Sequence, residues 1–248
     1  IRRHHCPGHR PLREGGEFLK PRRIISYIIL CVLVPAAVVG GSLLFGDKQY
    51  AYLTLCVAVL SCLPFFLHFE HGRADAKEMI LIAAMVALSV VGRFLFEPIP
   101  GFKPVTAMTV ITAMYFGSEA GFMTGALSAV ISNFYFGQGP WTPFQMLSWG
   151  LLGFIAGLIA DPLRRSRVVL AIYAVISGVL YSLLMDIWST LWADGYFNVS
   201  RYLAFVVSSA QFTLIYAVSN LVLLLLLARP IGKILGRIKT KYGIRTGG

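Results

Sequence analysis

The chain has 248 residues, of which 57% are hydrophobic and only 13% charged, with a formal net charge of +11. A water-facing domain is roughly a quarter charged, so this composition excludes a soluble enzyme, a disordered tail protein and a secreted disulfide scaffold. An integral membrane protein remains.

In chain order, residues 1–23 form a basic tail. Within it His4, His5, Cys6 and His9 bring soft metal ligands together. A flexible basic tail is the plainer reading, and no metal site is assigned. A membrane helix needs about 20 apolar residues. Runs of that kind predict spans at 24–45, 50–68, 77–96, 104–117, 119–136, 145–160, 168–192 and 203–228. They are too long for strands and lack two-residue alternation, so the fold class is an all-α integral membrane protein. The first span has a basic flank and small residues at Pro35, Ala36 and Ala37, as a cleaved signal would. Its apolar run extends to Phe45, longer than such a signal needs, so it reads as a retained helix. Cys31, Cys56 and Cys62 fall in the first two spans and act there as small apolar side chains.

Eighteen of the 22 Lys and Arg lie in the two tails and in the connections at Arg73–Lys77 and Arg164–Arg167. Lys48, Arg93, Lys103 and Arg201 occupy the other side. The positive-inside bias therefore puts both termini in the cytoplasm. The basic excess marks topology and contact with anionic lipid, not nucleic acid.

Small residues recur at Gly117, Gly121, Gly125 and Ala129, ending on Asn133, and again at Gly153 and Gly157. Ala83, Ala84 and Ala87 add to them. Such stripes let helices approach closely.

The outward half holds the unusual side chains. All four Trp are there: Trp141 in a loop, Trp149, Trp188 and Trp192. A one-sided set suits an aromatic-lined cavity better than a belt at both interfaces. The loop from Phe136 to Gln145 contains Gln138, Gly139, Pro140 and Trp141, stiff and uncharged. It suits a polar organic ligand; a tight capped connection is the alternative. Arg93 stands one turn before Glu97, where an ion pair would account for both. Asp186 lies inside a span, where an ionisable group faces the bundle interior and has a partner, with Arg93 the candidate. Asn133, Gln211 and Asn220 are further buried-polar candidates.

No phosphate-binding glycine loop, no metalloprotease helix and no triad is present. All five His lie in or near cytoplasmic segments. An enzyme acting on lipid-linked substrate survives only as a weak alternative.

From Lys77 onward the chain resembles the substrate-binding (S) components of energy-coupling factor vitamin transporters. The resemblance is carried by Lys77–Ala84, Gly92–Arg93, Phe102–Ala107, Gly121–Ala129 and above all Asn133–Met146. The last segment is similar to the cobalamin branch. The resemblance implies a six-helix core at 71–229, with two additional helices at 24–70 and a basic tail at 230–248. It implies vitamin capture at the outer face, with cobalamin preferred, then docking on a T component driven by two ATPase subunits, and toppling to release substrate. It implies no cofactor and no ATP hydrolysis by this chain. The substrate-binding set is then Arg93, Lys103, Pro104, Gln138, Gly139, Pro140, Trp141, Gln145, Trp149, Asp186, Trp188, Trp192 and Gln211. Docking falls to Ala83, Ala84 and Ala87, although Val91 breaks the alanine series. A membrane sensor or assembly protein, whose first two spans bind a partner, is the competing class.

Overall fold

The computed structural model describes residues 76–194 and 198–243, with residues 28, 32, 33, 36 and 60 standing singly before them. The basic N-terminal tail, its His/Cys cluster and nearly all of the first two predicted spans lie outside the described residues. Every element among the described residues is a helix. They are α1 (Ala76–Leu95), α2 (Val105–Phe116), α3 (Ser118–Phe136), α4 (Trp141–Leu158), α5 (Ala160–Arg165), α6 (Arg167–Asp194), α7 (Val199–Ser208) and α8 (Ala210–Tyr242).

The basic connection after α4 contains the short helix α5, which the sequence reading did not expect, and three boundaries differ as well. Helix α4 begins at Trp141 rather than 145, with Pro140 at its cap (φ −62°); proline is tolerated at a helix start because the first N–H groups lack partners anyway. Trp141 is therefore helical and not in a loop. The last predicted span divides into α7 and α8. Asn198 nucleates α7 by accepting from the backbone N–H groups of Ser200 and Arg201, at 3.0 and 3.3 Å. Helix α8 continues through Pro230 to Tyr242, so residues 230–242 are helical rather than a tail.

Helices α1, α6 and α8 have the length and hydropathy to cross a membrane. Helix α2 has 12 residues, about 18 Å at 1.5 Å per residue, short of the roughly 30 Å hydrocarbon core. It is nonetheless strongly apolar, and every residue of it but Tyr115 is buried. Protein rather than lipid surrounds it. Gly117, at φ +93°, turns the chain from α2 straight into α3, a left-handed conformation that costs glycine little.

The small-residue stripe of α3 packs on α4. A Cβ on Gly125 would lie 2.5 Å from both the carbonyl carbon and oxygen of Trp149. One on Gly121 would lie 2.7 Å from the Gly153 carbonyl oxygen. The two backbones thus approach as closely as glycine permits. Helix α6 uses the same device against α8, where Gly178 faces the backbone of Ala217. Hydrogen bonds reinforce that seam, from Asn220 Nδ2 to Ser177 Oγ (3.1 Å) and from Thr213 Oγ1 to Ser182 Oγ (2.6 Å). By contrast Ala83, Ala84 and Ala87 are exposed on the outer face of α1 and pack on no described helix.

The ends of the bundle differ in chemistry. At one, Lys239 Nζ donates to the Tyr115 carbonyl at 3.2 Å, the Arg164 guanidinium lies over the Tyr115 ring, and Arg164 pairs with Asp161. That hydrogen bond holds the exposed Asp161 carboxyl below the usual carboxylate range. The other end gathers the aromatic and amide groups.

Candidate ligand site

Sequence places Arg93 at the last turn of α1, Asn133 near the end of α3 and Gln145 in the second turn of α4. The fold brings these three helix ends together. Arg93 Nη1 donates to Ser132 Oγ (2.5 Å) and to Asn133 Oδ1 (2.8 Å). Asn133 Nδ2 donates in turn to Thr142 Oγ1 (3.0 Å) and Gln145 Oε1 (2.8 Å). Thr142 Oγ1 also accepts from the Gly139 N–H at 3.3 Å. One asparagine therefore ties α1 and α4 to α3, and both ends of its amide are used. Buried polar networks of this kind rigidify when every member is satisfied.

Aromatic rings surround the network. The Arg93 guanidinium lies 4.6 Å from the Phe136 ring centroid and 5.4 Å from that of Trp149. Trp149 stacks on Tyr181 at 4.9 Å with an interplanar angle of 16°, and Tyr181 meets Tyr216 edge to face at 5.1 Å. Farther out Trp141 and Trp188 meet edge to face at 6.2 Å, and Trp188 stacks on Trp192 at the same distance. Gly139 lies directly beneath the Trp141 ring, where no side chain would fit.

The loop between α1 and α2 closes the third side. Its Lys103 N–H donates to Ser219 Oγ of α8 at 3.1 Å, and Pro104 is buried against Gly92. Lys103 is half-buried, and desolvation together with the nearby Arg93 cation holds its ammonium down at about 8. The sign of the consequence follows directly. A lysine whose folded-state pKa lies below its unfolded value of 10.5 opposes folding while both states are charged. Stability should therefore rise as pH climbs from 8 towards 10.5, and Lys103→Met should flatten that rise. Thermal unfolding of the two proteins across this window checks it; parallel profiles would refute it.

Most of the sequence-derived set converges here: Arg93, Lys103, Pro104, Gly139, Pro140, Trp141, Gln145, Trp149 and Trp188. Gln138 sits at the edge, with Nε2 donating to the Val130 carbonyl at 3.0 Å. Asp186 is buried but faces α8, accepting the Ser209 hydroxyl at 2.7 Å. It does not pair with Arg93, and neither does Glu97, which is exposed. Arg93 turns inward to the α3 amide instead, because Ser132 and Asn133 of α3 supply buried acceptors while Glu97 stays exposed. Gln211 is exposed and outside the cluster, and Trp192 is 46% exposed at its margin.

Tyr181 and Tyr216 escaped the sequence reading, and Phe136 and Thr142 entered it only as part of the loop from Phe136 to Gln145, with no role of their own. Tyr181 did leave a signal, since positions 181, 188 and 192 are spaced to share one helix face. The hydroxyl of Thr142 left none.

Residues 73–237 match the family described as ECF-type riboflavin transporter, S component. That match covers α1 through most of α8. No curated protein and no solved structure matches the chain.

Proposed function

The chain belongs to the S-component family of ECF-type riboflavin transporters, and from that membership we propose that the aromatic and amide cluster captures a vitamin from outside the cell. The family is a transporter's substrate-binding part, not itself an enzyme, and serves vitamin uptake through an energy-coupling factor module. Cobalamin is the preferred ligand here, on the likeness of Asn133–Met146 to the cobalamin branch. Riboflavin is the second reading, favoured by the family's description and by the flat Trp149–Tyr181 stack.

The observation that carries the reading is the convergence of four helices on Arg93, Asn133, Gln145, Trp149 and Tyr181. It offers apolar ring faces for a large planar or bulky molecule, with a few fixed polar groups to orient it, the usual make-up of a ligand site. Residues 71–229 form the core in this reading, in the plasma membrane with both termini cytoplasmic. Toppling then delivers the vitamin to a T component energised by two ATPase subunits. The exposed Ala83, Ala84 and Ala87 on α1 give that partner a smooth surface on which to dock.

Calorimetry on the purified full chain in detergent tests the reading. Saturable cobalamin binding is expected. Binding of riboflavin alone would exclude the cobalamin assignment, and a folded chain that binds neither would exclude both. Ala87→Trp should leave vitamin affinity unchanged while abolishing co-purification of T and ATPase subunits. Undiminished co-purification would remove docking from this face.

A further inference from the structure

Among the described residues the outer network holds two cations and no paired carboxylate. Arg93 is only 5% exposed. Its hydrogen bonds leave from Nη1 and end on neutral acceptors, Ser132 and Asn133, while the buried Nε has no partner. The rings of Phe136 and Trp149 flank it, but cation–π contact offsets only part of what burying an ion costs. Lys103 is a second cation, next in the chain to Pro104, whose ring packs against Gly92 beside Arg93. The acids nearby do not compensate: Asp186 is engaged by Ser209 and forms no ion pair with either cation, and Glu97 is exposed. Buried charges are ordinarily paired. A buried cation that meets no counter-ion among the described residues, with a second cation on the neighbouring loop, therefore favours an anion brought from outside.

Resting on the vitamin-capture reading, we propose that the ligand carries an oxyanion, a phosphate ester or a carboxylate, and that Arg93 and Lys103 receive it. Arg93 offers the unpaired edge of a planar fork, suited to two oxygens at once; Lys103 adds a mobile point charge from the loop. The aromatic rings then hold the remainder of the molecule. This divides the site into a charge-selecting end at α1 and the α1–α2 loop, and a shape-selecting wall on α4 and α6.

Matched pairs of ligands test it on the full chain in nanodiscs: flavin mononucleotide against riboflavin, cobinamide phosphate against cobinamide, and biotin against biotin amide. In the pair that binds, the oxyanion-bearing member should bind at least about tenfold more tightly, a difference of roughly 1.4 kcal/mol. The first two pairs report a phosphate and the third a carboxylate. The preference should shrink to about threefold or less in Arg93→Gln and in Lys103→Gln. Lys103→Gln alters a loop side chain, so it reads the effect even where Arg93→Gln impairs folding. Equal affinity within a pair that binds tightly would overturn the anion assignment and leave vitamin capture standing. A preference that persists in Lys103→Gln and in a folded Arg93→Gln would overturn the role of these two residues. A folded chain that binds no member of any pair would overturn both readings.

Discussion

Gly125→Leu should yield no folded, monodisperse protein, and Gly125→Ala should lower stability by about 1–3 kcal/mol. The reason is where the added atom would go. A Cβ at Gly125 meets backbone of α4, 2.5 Å from the Trp149 carbonyl carbon and oxygen and 2.8 Å from the Gly150 nitrogen. A flexible side chain could turn away from such a clash; a helix backbone must move as a body. Moving α4 would carry Trp149 off Tyr181 and Gln145 off Asn133, so the helix seam and the proposed ligand site fail together. Gly236→Ala is the control. Its Cβ would touch only Tyr115, at 3.9 Å, and alanine in a helix interior gains about 0.5–1 kcal/mol over glycine. Unfolding followed by size-exclusion chromatography after heating compares the three. Equal stability of Gly125→Ala and Gly236→Ala would refute the close approach of α3 and α4.

Asn133→Leu is the second large effect, with an expected loss of about 2–4 kcal/mol. Leucine keeps the heavy-atom branching of asparagine, with bulkier methyl groups, but removes the acceptor of Arg93 and the donor to Thr142 and Gln145. Arg93 is left buried with Ser132 as its remaining acceptor. Asn133→Asp should behave differently. A carboxylate still accepts from Arg93, now as an ion pair, and the Thr142 hydroxyl and Gln145 amide can reverse their roles and donate. Stability at neutral pH should therefore be largely retained. The new anion would occupy the charge that the ligand is proposed to meet, so the preference for oxyanion-bearing ligands should fall. Thermal unfolding separates the two variants; equal destabilisation would show that Asn133 acts by shape rather than by hydrogen bonding.

Several features were legible residue by residue. The glycines of α3 and α4 announced a tight helix pair because only the missing side chain matters there, and a one-letter code records that. The Gly/Pro run from Gly137 to Pro140 announced the break between those helices. Arg93, Lys103, Gln145 and Trp149 were singled out because charge, amide or indole is scarce in a membrane chain. Their partners were not. Arg93 had Glu97 one turn away and Asp186 in a distant span as plausible acceptors, and it bonds to neither. Sequence proximity favours the first and charge the second; burial overrules both, since Ser132 and Asn133 are fixed beside it by the α3–α4 packing. Gln211 looked like Gln145 in one dimension, but the face of α8 that carries it is exposed.

By itself the sequence determined that this is a helical membrane protein, where α1, α2, α3 and α6 begin and end to within two residues, which segments concentrate positive charge, and which family it belongs to. Those properties are set by local sums: apolar run length, charge placement and short motifs. Tertiary structure alone decided which side chains meet. Arg93 and Asn133 are 40 residues apart, and Asn220 and Ser177 are 43. Helical periodicity says which residues share a face, but not which neighbouring helix that face will meet or at what depth. That choice comes from interlocking small and large side chains across the whole bundle, and from the need to satisfy each buried polar group.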